Sequence, residues 1–117
     1  MPGLNFKEEF EPKIRCGDKK QTIRATRKYP IKQGDNLYLF TGMRTQNCRR
    51  LRSTRCDEEH YIFIDTNKTI ILGNKLLTFE EAERLAREDG FESFNDFINF
   101  FKTTHGLPFE GQLIRWL

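Results

Sequence analysis

Two consecutive helix signals in the C-terminal third constrain this chain most. Thr78 with Glu81 three residues on is a capping box, and Gly90 is a natural stop. Ser93 with Asp96 repeats the spacing more weakly, opening a second helix with the apolar stripe Phe94, Phe97, Ile98 and Phe101, closed by Gly106 and Pro108. Around this pair the chain reads mainly as short strands. Over 36–40, Leu37 and Leu39 alternate with Tyr38 and Phe40, apolar on both faces and so central in a sheet. Residues 60–65 and 69–72 read as core strands joined by the turn Thr66-Asn67-Lys68, and 109–117 as a terminal strand returning to the sheet. Strands and helices in separate runs make an α+β domain. Five to six strands with flanking helices at one end predict a small, partly closed β-barrel. At 117 residues the chain fits a single domain, 1–117.

The N-terminal region is less regular. Phe6, Phe10 and Ile14 recur every four residues, the stripe of a short helix. Pro12 fits only the first turn of a second helical piece, which Gly17 would end as a left-handed cap. A short segment, 21–24, follows, and Lys32-Gln33-Gly34-Asp35 turns into the strand at 36. Residues 48–56 form an odd strand. Cys48, Arg50, Arg52, Thr54 and Cys56 would share one face and Arg49, Leu51, Ser53 and Arg55 the other, and neither face is properly apolar.

Charge is uneven. Residues 1–59 hold 14 Lys/Arg against 8 Asp/Glu, and 60–117 hold 6 against 9, so a formal net charge of +3 divides into +6 and −3. Such asymmetry points to a basic working surface. No apolar run approaches the roughly 20 residues of a membrane span. The opening 1–9 carries acid where a signal peptide would be apolar. With three cysteines in no disulfide-framework spacing, the expectation is a reduced, cytoplasmic protein whose Cys16, Cys48 and Cys56 are small buried residues. Cys48, Cys56 and His60 have no metal-ligand spacing, so neither metal nor cofactor is expected.

Three segments could carry chemistry. Residues 44–55 hold five arginines (Arg44, Arg49, Arg50, Arg52, Arg55) and no lysine. Guanidinium suits bidentate phosphate contacts and stacking on bases; the same charges would also protect an edge strand, although edge protection favours Lys. In 17–24 an extended backbone would align Lys20, Thr22 and Arg24, with Lys19 on the other face. A lysine whose pKa burial lowers can act as base for a Thr nucleophile, and a plain surface cluster has the same composition. Glu88-Asp89 ends a helix where negative charge opposes the dipole unless a cation is near, a local inconsistency that a functional carboxylate or surface drift would each produce. The six phenylalanines from Phe91 to Phe109 read as core at helical spacing.

The phrase Phe6-x3-Phe10-x3-Ile14-x2-Gly17-x-Lys19-x2-Thr22-x-Arg24 resembles the opening of ASCH domains, members of the PUA-like superfamily. The turn Gly34-Asp35 before a strand, the segment Glu88-Asp89-Gly90-Phe91 and the strand ending in Trp116 fit the same pattern. The chain is thus similar to small stand-alone ASCH proteins of bacteria and phages. The resemblance implies a small β-barrel with a cleft beside its helices and a partner in RNA or a modified nucleoside or nucleotide. Some ASCH proteins are ribonucleases, and one branch hydrolyses the acetyl group from N4-acetylcytidine with a Lys, a Thr and a downstream carboxylate. Carried over, these are Lys19, Thr22 and either Glu88 or Asp89, with Asp89 preferred because it precedes Gly90 directly; the family Arg is Arg24. Asp18 departs from the pattern and could compete for Lys19. The arginine-rich segment is the other departure and favours an RNA-sized ligand. The expectation is an RNA- or nucleotide-binding domain with a basic cleft; whether it also hydrolyses, as a ribonuclease or an amidohydrolase, is left open by the sequence. Its nucleic-acid contacts would come from Lys20, Arg24, Arg27 and the five arginines. A non-catalytic RNA-binding module, or a protein-interaction module using the Phe-rich helix, is the alternative.

Overall fold

The computed structural model describes residues 3–117, so the first two residues of the acidic opening and of the 1–117 domain lie outside the described residues. Leu4 and Phe6 are buried while Asn5 between them is exposed. This alternation builds a strand, β1 (Gly3–Phe6), parallel to β3 (Asn36–Thr41). The expected helical stripe is therefore corrected at its start: Phe6 closes a strand, Phe10 ends a 3-10 turn, and only Ile14 lies in helix α1 (Glu11–Cys16). Pro12 occupies the first turn of α1, and Gly17 caps it at φ 87°. Strand β2 (Gln21–Ala25) follows.

The segments 48–56 and 60–65 are one strand, β4 (Arg49–Ile64), of 16 residues. Two register shifts hid this continuity. Leu39 and Phe40 pair with Arg52 and Arg50, skipping Leu51, while Cys56 and Glu58 pair with Trp116 and Arg115, skipping Asp57. A bulge reverses the alternation on either side of it, so no single two-residue period runs through the segment. Leu51 and Cys56 are both buried as a result. Short strands β5 (Ile70–Leu72) and β6 (Lys75–Leu76) precede helices α2 (Phe79–Glu88) and α3 (Phe94–Thr104), and β7 (Phe109–Trp116) returns between β2 and β4. The Thr78–Glu81 capping box forms reciprocally, and Ser93 accepts from the Asp96 amide.

The fold is thus α+β, with three α-helices and a seven-stranded mixed sheet among the described residues. The expected five- to six-stranded barrel is corrected on both counts. β1 and β6 are additional strands, and the sheet does not close into a barrel, because β1 pairs only with β3 and β2 only with β7. A side chain spans the seam between those two edge strands, where the Arg24 guanidinium donates to the Asn5 carbonyl at 2.6 Å. The sheet separates two cores: α2 and α3 pack with Ile62, Ile64, Leu113 and Phe109 on one side, and Leu4, Ile14, Leu37, Leu39, Ile114 and Trp116 fill the other. No helix among the described residues is long and apolar enough to cross a membrane. Of the cysteines only Cys56 is buried; Cys16 and Cys48 are exposed, which corrects that expectation.

Candidate functional site

A cavity of about 260 Å3 opens at the seam, with Asn5 and Phe6 on its β1 side, Thr22 to Ala25 on its β2 side, Asp89 and Phe91 from the turn after α2, and Phe100 from α3. Lys19 enters it just before β2 begins. Its side chain is 3% exposed, and its ammonium donates to the Asp89 main-chain carbonyl at 2.5 Å and to Asp89 Oδ1 at 3.5 Å. The first of these contacts answers the helix-end inconsistency. Asp89 is the C-cap of α2, where carbonyls lack intrahelical partners and a cation is favoured. Lys13 donates likewise to the next carbonyl, that of Gly90, at 3.1 Å.

Gly90 is needed for this closeness. It sits at φ 101°, and a Cβ there would come within 2.9 Å of the Phe10 ring and 3.5 Å of the Lys19 chain. Phe10 and Phe6 in turn place their rings 4.9 Å and 5.8 Å from the Lys19 ammonium. Aromatic faces attract the charge electrostatically while excluding the water that would solvate it.

Burial shifts both partners towards neutrality. It pushes the Asp89 carboxyl up to about 6, against the opposing pull of Lys19 and Gln21. It lowers the Lys19 ammonium, with Asp89 resisting. A buried acid and a buried amine drawn together in this way can hand one proton between them. Arg24 lies beside them, held over the Phe6 ring at 4.8 Å, and donates from Nε to Thr22 Oγ1 at 3.1 Å. Its guanidinium is pushed down to about 10 by burial and by nearby Arg27. Thr22 is buried with its hydroxyl oxygen accepting from a cation, so that its own proton is free to be donated elsewhere.

Lys19, Thr22, Arg24 and Asp89 therefore share one cavity. Glu88 does not join them. It faces a second depression with Asp18, Lys20, Glu58 and Arg115, and pairs with Arg115 at 3.8 Å. Asp18 lies in that same depression, away from Lys19, which pairs with Asp89 instead. The five arginines of 44–55 stay outside the cavity as well. Arg49 is engaged by Glu11 and Glu8, whereas Arg44, Arg50 and Arg55 are exposed. The basic side chains that line the cleft are Lys7, Lys19 and Arg24, and none comes from this segment.

Gln21 escaped the sequence reading. Its side chain is buried, donates to Asp89 Oδ1 at 3.4 Å and accepts from Arg115 at 3.2 Å, tying the carboxylate to β7. Its position between Lys19 and Thr22, two residues after the lysine, was the available signal. His105 and Thr104 at the end of α3 also line the cavity. Among the described residues no group of His, Cys, Asp and Glu could hold a metal ion. No family model, characterised protein or solved structure matches the chain.

Proposed function

We propose that the chain is a PUA-like ASCH domain that hydrolyses the acyl amide of a modified nucleobase, N4-acetylcytidine being the model substrate. The observation that carries this reading is the enclosure of Lys19, Thr22, Arg24 and Asp89 in one aromatic-lined cavity. Titratable groups with opposed pKa shifts in a cleft are what acid–base chemistry requires. At about 260 Å3 the cavity lies below the roughly 300–1,000 Å3 of pockets for drug-sized ligands. That supports a single base as ligand, stacked among Phe10, Phe91 and Phe100.

The chemistry runs in two halves. In the first, Lys19, made neutral by passing its proton to Asp89, takes the Thr22 hydroxyl proton as Thr22 Oγ1 attacks the amide carbonyl carbon. Arg24 supports the charge developing on Thr22 Oγ1. The C–N bond then breaks, the exocyclic amine leaves with the proton from Asp89, and the acyl group remains as an ester on Thr22. In the second, Asp89, now ionised, takes a proton from water as the water oxygen attacks the ester carbonyl carbon. The ester C–O bond breaks, Lys19 returns its proton to Thr22 Oγ1, and the carboxylic acid leaves with Lys19 neutral and Asp89 protonated as at the start. A ribonuclease would need a path for the polymer at these residues, and the arginines of 44–55 offer none there.

Incubating the protein separately with N4-acetylcytidine and with labelled single-stranded RNA tests the reading. Release of cytidine and acetate with the RNA intact supports it. RNA cleavage without deacetylation transfers the cavity to phosphodiester chemistry, and the absence of both products overturns a hydrolytic role.

A further inference from the structure

A different surface has the form of a ligand platform. On β3 the side chains of Leu37 and Leu39 are fully buried, while Tyr38 and Phe40 point to the opposite face, half-buried and part of neither core. Their cross-strand neighbours on β4 are Ser53 and Arg50. Arg50 stands there only because of the first register shift. Without it Phe40 would face Leu51, but the bulge turns Leu51 into the core and sets an arginine beside the ring. Arg55 faces Asn36 at the other end of the same strip, and Arg44 follows Phe40 in the exposed turn after β3. On β1 the residue opposite Tyr38 is Gly3, and the Phe40 ring and the end of Met43 lie over it, each 3.5 Å from where a Cβ would stand.

The arginines are available for a ligand. Among the described residues Arg44, Arg50 and Arg55 make no ion pair, in contrast to Arg49. Of the acidic residues further along β4, Glu58 pairs with Arg115 and Glu59 accepts from Gln112, and among the described residues none of the three, Asp57 included, forms an ion pair with Arg44, Arg50 or Arg55. Two half-buried rings two residues apart on a strand, bordered by guanidinium groups without ion pairs, set partly exposed aromatic surface beside phosphate donors. That is the chemistry of a single-stranded nucleic acid: bases stack on aromatic faces and arginines follow the backbone.

We propose that the outer face of β3 and β4 binds single-stranded nucleic acid, with bases on Tyr38 and Phe40 and phosphates on Arg50, Arg55 and Arg44. This surface is independent of the seam cavity. The test is fluorescence anisotropy with labelled short oligouridylate and oligodeoxythymidylate, alongside thermal melting of each variant. The wild type binds, and affinity falls as salt rises. Tyr38→Leu and Phe40→Leu, which keep apolar cover without a ring, weaken binding roughly 5- to 100-fold. Arg50→Ala and Arg55→Ala each lower the salt slope by roughly 0.7. Tighter binding of the ribo-oligomer adds a 2′-hydroxyl contact to the platform, and equal binding limits it to bases and phosphates. Thr22→Ala binds as the wild type does, whatever its activity. Absence of binding to both oligomers at low salt overturns the proposal, as does binding that survives both ring removals.

Discussion

The Lys19 ammonium meets residue 89 twice, donating to the Asp89 main-chain carbonyl at 2.5 Å and to its carboxylate at 3.5 Å. One cation thus closes the end of α2 and balances the only carboxylate that lines the cavity among the described residues. The residues that would do chemistry are also those that hold the helix to the sheet.

Stability follows from that double contact. Lys19→Met removes the partner of a buried carboxylate and a donor to a helix-end carbonyl, and breaking a buried pair costs about 3–5 kcal/mol. Asp89→Asn leaves the main-chain contact available. The double variant is expected to lose less than the sum of the single losses, with a coupling of about 1–3 kcal/mol by urea denaturation. Additive losses would show that the two side chains do not act as a pair.

The pH dependence of stability carries a sign. Asp89 rises from 3.8 to about 6 on folding, so between those values the folded state holds a proton that the unfolded chain releases. Its contribution is full below pH ~4 and fades as pH rises through ~6, by about 3 kcal/mol at most. Wild type minus Asp89→Asn stability, measured from pH 4 to 7, should fall along this course. A flat difference would mean that burial does not perturb the carboxyl.

Gly90 should resist substitution for two separable reasons. Gly34 has a comparable φ of 92° but open space around it, whereas a Cβ at Gly90 meets Phe10 at 2.9 Å. Gly34→Ala therefore reports backbone strain alone, about 1–2 kcal/mol, and Gly90→Ala should cost more. Phe10→Leu in the Gly90→Ala background should recover part of the excess in thermal melts. Equal costs at the two glycines would place the effect entirely in the backbone.

Gln112 anchors the long connection between β2 and β3. Its buried amide donates to the Ile31 carbonyl at 2.5 Å and accepts from the Ile31 amide at 3.2 Å. Gln112→Leu leaves both groups without this partner, at about 1–3 kcal/mol each where they remain dry. Hydrogen exchange of the Ile31 amide should accelerate markedly in the variant; unchanged exchange would assign its protection elsewhere.

Local signals were legible where local geometry decides structure. Thr78, Glu81, Gly17 and Pro12 announce their caps because a cap is made by residues a few positions apart. Lys19, Thr22 and Asp89 are the positions that the ASCH resemblance implies, where residue type alone left them no different from a surface cluster, and the fold brings them together across the 70 positions that separate Lys19 and Asp89. Strand β1 was obscured because Phe6, Phe10 and Ile14 imitate a helical stripe, and β4 because Leu51 and Asp57 break its period. Glu88 and Asp89 are adjacent in sequence, yet only the α2 end decides which one faces the cavity. The arginines of 44–55 could not be assigned to a surface from composition, since the register of β3 against β4 sets their direction.

The most direct measurement is cytidine release from N4-acetylcytidine by the wild type, Thr22→Ala, Lys19→Ala, Asp89→Asn and Glu88→Gln, with melting curves confirming each fold. Wild-type turnover should rise with pH through about 6, as the Lys19–Asp89 pair loses the first of its two protons. Thr22→Ala and Lys19→Ala should fall by at least about 100-fold, given what acid–base groups contribute, Asp89→Asn should lose the limb near pH 6, and Glu88→Gln should match the wild type. Full turnover in folded Thr22→Ala and Lys19→Ala proteins would contradict the account.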